Sequence, residues 1–103
     1  MSKEEKVWKN GDIVRLTCDC LGNPKGTLGF VFDEYQDFDD PKYSGVSVIF
    51  KNGNLDGFSI KEQNLMLEYV SSTNFRYKFK NVIVVSNDFS KGIFNFAWEQ
   101  KWN

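Results

Sequence analysis

Turn-forming residues organise the segment from Gly11 to Val31, GDIVRLTCDCLGNPKGTLGFV, and constrain the fold more than any other stretch. Asp12–Thr17 alternates Ile13, Arg15 and Thr17 against Val14 and Leu16, the period of a half-buried strand. Cys18–Lys25 reads as a loop whose tip, Gly22-Asn23-Pro24, combines three residues that favour turns. Gly26–Tyr35 reads as a second strand, with Leu28, Phe30 and Phe32 on one face and Val31 and Asp33 on the other. Gly29 inside it predicts a bulge, a sharp bend or a close backbone approach. A strand that re-enters so tightly belongs to a small barrel.

The rest of the chain extends that pattern. DEYQDFDDPKYSG, Asp33 to Gly45, is an acidic loop, and Val46–Phe50 is a strand. Asn52-Gly53 then predicts a hairpin, since both residues tolerate the positive φ of a type I′ turn. Leu55–Ile60 is the return strand, Ser59–Asn64 a tight or 3₁₀ turn, and Met66–Val70 a short fifth strand. Five short strands with a tight turn before the last resemble the order of SH3-like barrels. Phe75–Val85 and Ile93–Trp98 read as two further strands joined by the Ser86–Gly92 loop. The expected fold is therefore all-β: an SH3-like five-stranded barrel with an appended C-terminal β-hairpin. Residues 11–103 form one domain, with a barrel core at 11–70 and the hairpin at 75–99. Residues 1–10 form a flexible tail that Trp8 anchors.

Composition decides what such a barrel can bury and what it can do. Ten Phe, four Tyr and three Trp among 103 residues supply a core that short strands could not otherwise fill. The chain has no His, so it lacks the commonest general base and a major metal ligand. GNPKGTLG lacks P-loop spacing and no helix follows it, so a turn accounts for it. Cys18-x-Cys20 cannot close a four-coordinate zinc site within one chain. On a strand the two cysteines would stand roughly 6.5–7 Å apart, the outer limit of disulfide geometry. No enzyme, no cofactor and a reduced, cytoplasmic setting are the expectations. The N-terminal MSKEEKVWKNG has no apolar h-region, and no run approaches the ~18 apolar residues of a membrane span.

Gly11, Asp12, Val14 and Leu16, then Gly22, Lys25, Gly26, Gly29 and Val31, together resemble the KOW motif of ribosomal proteins and transcription elongation factors. The resemblance covers about 21 residues and implies a small barrel. It also implies nucleic-acid or ribosome binding, for which the basic candidates are Lys25, Arg76, Lys78 and Lys80. In Phe75–Lys80 aromatics and bases alternate, so an extended chain puts the rings on one face and the cations on the other.

Charge points elsewhere. Residues 1–68 carry 8 basic and 12 acidic side chains and residues 69–103 carry 5 and 2, for net charges of −4 and +3. Asp33, Glu34, Asp37, Asp39 and Asp40 crowd one loop without the spacing of a calcium-binding hand. With Tyr35 and Phe38 among them they form an acidic, aromatic surface suited to a protein partner. Three functions follow, in order: a non-catalytic protein-interaction module binding through Asp33–Asp40, a nucleic-acid-binding protein, and an acidic nucleic-acid mimic that blocks one.

Overall fold

A computed structural model describes residues 7–20, 22–36, 38–40 and 44–99. Five antiparallel strands form one sheet: β1 (Asp12–Leu16), β2 (Leu28–Tyr35), β3 (Gly45–Phe50), β4 (Leu55–Ser59) and β5 (Leu67–Ser72). Their order is β4-β3-β2-β1-β5. Among the described residues β4 and β5 do not pair, so the sheet is not closed. Helix α1 (Ile60–Met66) joins these two edges. The 3₁₀ turn expected there is an α-helix because Ser59-x-x-Glu62 is a capping box. The Ser59 hydroxyl accepts from the Glu62 N–H at 3.3 Å, and the Glu62 carboxylate accepts from the Ser59 N–H at 2.9 Å.

The β3–β4 hairpin forms as expected but with a different turn. Gly53 N–H donates to Phe50 O and Phe50 N–H donates to Asn54 O, both at 2.8 Å, with Gly53 at φ +91°. That is a three-residue loop with glycine in the left-handed position, rather than a two-residue type I′ turn. Asn23, buried at the tip of the β1–β2 loop, accepts from the side chains of Asn52 and Asn54 and ties the two loops together.

The expected C-terminal hairpin is corrected. Residues 73–80 form neither helix nor strand and lead into α2 (Val82–Ser90) and α3 (Asn95–Glu99). The protein is mostly β, consistent with the all-β expectation, with two short helices in place of the hairpin. Asn81 starts α2, its side-chain oxygen accepting from the N–H groups of Ile83 and Val84. Val85 and Phe89, one turn apart, then face the sheet. Tertiary burial overrides the strand propensity of the VIVV run.

This unit exists because both faces of the sheet are apolar. Val14, Leu16, Val31, Val46, Val48, Phe50 and Phe58 pack on one face with Trp8 and Leu67. Ile13, Phe30, Phe32 and Ile49 line the other, where Tyr77, Val85, Phe94 and Ala97 cover them. Phe94 lies 5.4 Å from Phe30 and 5.1 Å from Tyr77 between ring centroids. Near-continuous apolar runs such as Val46–Phe50 mark strands buried on both faces.

Polar contacts lock the crossing segment in place. The Asn10 side chain donates to Tyr77 O at 2.6 Å and accepts from Tyr77 N–H at 3.1 Å, replacing the missing ladder. Gly11 sits beneath it at φ +101°, where a Cβ would lie 2.6 Å from Phe75 O. The opening glycine of the motif thus answers to the far end of the chain. Trp8 is a core residue whose N–H donates to buried Gln63, so the expected flexible tail does not extend through residues 7–10. Residues 1–6 lie outside the described residues.

The Tyr77 hydroxyl donates to Asp88 at 2.6 Å. Burial first, then the Asp88 hydrogen bond and charge, push its pKa well above the ordinary tyrosine value near 10. The raised pKa contributes stability that is complete below about pH 10 and is lost as pH climbs toward the folded value. Chemical denaturation should show stability that falls steeply above about pH 10. Tyr77→Phe should be less stable at neutral pH and should lose less of its stability on alkalinisation. Equal alkaline losses in the two proteins would refute this assignment.

Candidate functional site

Strand β2 carries Asp33, Glu34 and Tyr35 at its C-terminal end. A surface cleft of about 450 Å³ opens there. Its apolar walls are Val7, Tyr35, Phe38 and Ile60, and Glu34 and Gln36 bring polar groups to it. The local chemistry explains each position. Tyr35 pairs with Gly45 in the β2–β3 register, and its half-buried ring lies against Gly45 with its hydroxyl 2.6 Å from where a Cβ would stand. Burial raises the Tyr35 hydroxyl above its ordinary value, with Glu62 and then Asp56 adding to it. It remains a neutral donor and acceptor at physiological pH. Ile60 is the first residue of α1, set by the Ser59 cap. Phe38 is 90% exposed.

The predicted acidic residues do not all serve the cleft. Asp33 faces the C-terminal unit, where its carboxylate meets the Lys80 ammonium at 3.4 Å. A register shift between Val31 and Asp33 re-aims this end of the strand. Glu34 accepts from the Asn10 N–H at 3.0 Å. Asp39 is exposed and Asp40 half-buried beside Phe38, while Asp37 lies outside the described residues. Val7 and Ile60 were not anticipated. The Ser59–Glu62 capping spacing was the available signal for Ile60; Val7 had none beyond its place next to Trp8.

The basic candidates are split. Lys25 belongs to the β1–β2 loop, its N–H held by Asp19 at 2.7 Å. Arg76 donates to Thr73 O at 2.6 Å and to Phe75 O at 3.2 Å, and Lys80 pairs with Asp33. Lys78 is exposed. The alternation itself holds: Phe75 and Tyr77 pack against the sheet and the bases face outward, with Phe79 54% exposed.

Cys18 and Cys20 are half-buried free thiols. Cys20 approaches Asp56 at 3.8 Å, and burial followed by Asp56 raises its pKa. A thiol held protonated in this way is a weak nucleophile. Among the described residues no group of three or more His, Cys, Asp or Glu side chains gathers to hold a metal ion, and no helix is long and apolar enough to cross a membrane.

No family model, curated protein or solved structure matches the chain.

Proposed function

We propose that this protein is a non-catalytic, cytoplasmic protein-interaction module built on an SH3-like barrel, and that it binds through the cleft beside the acidic loop. The barrel reading is supported by the strand order β4-β3-β2-β1-β5 and by the short helix that precedes the last strand. The function rests above all on Phe38, a large aromatic 90% exposed at the lip of an apolar cleft. An aromatic so placed loses water only when a partner covers it, and interface hot spots favour such positions. Tyr35 and Ile60 offer a shallow seat for an aliphatic or aromatic side chain. The acidic run selects partners with a cation nearby and speeds their approach. Nucleic-acid binding gains less support, because Arg76 and Lys80 are engaged within the chain and Lys25 stands on a separate loop.

Selection from a random peptide library is the test. Recovered peptides should carry Lys or Arg beside a bulky apolar residue. Phe38→Ser should weaken their binding roughly 10-fold or more. Neutralising Asp37, Asp39 and Asp40 together to Asn should also weaken it, with a smaller salt dependence remaining. Retention of binding in the triple variant would overturn the proposal. Tight, steeply salt-dependent binding to single- or double-stranded nucleic acid would instead favour the KOW-type reading.

A further inference from the structure

We infer that the cleft takes a second copy of this chain, through a knob at the start of α2; this rests on reading the cleft as a protein-binding site. Three neighbouring side chains break the polar surface there. Phe79 is 54%, Val82 59% and Ile83 70% exposed. Further along α2 the exposed positions are Asn87 and Ser90. The apolar surface is therefore one turn long, unlike the stripe that a partner helix would need. Exposed Lys78 stands next to it, within a C-terminal third of net charge +3.

The cleft offers apolar surface beside acidic side chains. Its walls are apolar, Phe38 stands at its lip, and Glu34 belongs to the acidic run. Strand β2 fixes where the two surfaces lie. Lys80 reaches Asp33, which immediately precedes the cleft residues Glu34 and Tyr35 in the same strand. Knob and cleft are thus anchored to one strand end. A chain carrying both halves of a complementary contact can pair about a two-fold axis and make the contact twice. Doubling matters, because a one-turn knob seated in one cleft covers less area than a stable interface needs.

Sedimentation velocity of the full chain, from micromolar to millimolar concentration, tests this. A monomer–dimer equilibrium should appear and weaken with salt. Ile83→Asp and Phe38→Ser alter exposed side chains, so each should keep its thermal unfolding profile while weakening dimerisation roughly 10-fold or more. Mixing the two variants should restore part of the dimer, since the mixed pair keeps one intact contact. Monomer at every concentration, open-ended polymers, or a dimer indifferent to both variants would overturn the inference. So would a monomer whose Ile83 drives binding to vesicles of mixed phosphatidylserine and phosphatidylcholine, which would assign the knob to a membrane. A monomer that still binds the selected peptides through Phe38 would overturn self-pairing and leave the cleft reading standing. Loss of both would overturn both.

Discussion

Phe94→Ala should destabilise the protein by about 3–5 kcal/mol, the usual cost of deleting a fully buried Phe ring. That is a fifth or more of the roughly 5–15 kcal/mol stability of a typical domain. Phe94 is 0% exposed and touches the rings of Phe30, Phe75 and Tyr77. Its removal opens a cavity between the sheet and the C-terminal unit, a place where rigid strands cannot close in. Urea unfolding should remain one transition with a lower midpoint, because the second core is continuous with the strands that build the first. Phe38→Ser is the matched control and should leave the midpoint nearly unchanged, since Phe38 stands in water. A near-neutral Phe94→Ala would mean that residues 73–99 are an accessory and not part of the folding unit.

Gly45→Val should cost at least about 3 kcal/mol and abolish the cleft. A Cβ at this position would run into the carbonyl oxygen of Phe58, a backbone atom fixed by the β3–β4 ladder, and into the Tyr35 hydroxyl. Neither obstacle can yield without separating β3 from β4 or lifting Tyr35 out of its seat. Gly57→Ala is the control in the adjacent strand. Its Cβ would meet the Tyr35 hydroxyl at 3.6 Å, an ordinary contact, and it should fold normally. Thermal unfolding of the pair reads the stability difference. Peptide binding by whatever Gly45→Val protein folds reads the cleft. Equal stability of the two variants would refute the close packing described at Gly45.

The two predictions mark where the sequence was informative and where it was not. Alternation at Val14 and Leu16 and the turn chemistry at Asn52-Gly53 are local signals, and they placed the first four strands within a residue or two. Gly29 predicts a bulge, bend or close approach; the structure has a close approach, with a Cβ there falling 2.5 Å from a Val48 methyl. In the C-terminal third the sequence points to a strand where the structure has a helix, because Val82–Val85 has the residues of a strand while its outcome depends on a distant apolar face. Phe30, Phe32, Ile13 and Ile49 needed cover, and Val85, Phe89, Phe94 and Ala97 provide it from helices and turns. The runs FVF and VSVIF carried that information, since strands with one wet face alternate more strictly. The Ser59–Glu62 capping box was equally legible and marks α1.

The candidate site was half visible. Acid crowding and Phe38 mark the loop that borders the cleft, and charge asymmetry separates the two halves of the chain. Long-range contacts set the surroundings of two of these acids. Asp33 is taken by Lys80 and Glu34 is tied to the Asn10 backbone, pairings between segments more than twenty residues apart. Val7 and Ile60 joined Tyr35 only through the packing of Trp8 onto Gln63 and the capping of α1.

The most direct test of the central claim is an amide chemical-shift titration of the full chain with a selected peptide bearing a cation beside an apolar residue. The cleft account predicts perturbations concentrated at Val7, Glu34, Tyr35, Phe38 and Ile60, and their loss in Phe38→Ser. Perturbations centred on Lys25, or on Arg76 and Lys78, with the cleft resonances unmoved, would contradict it.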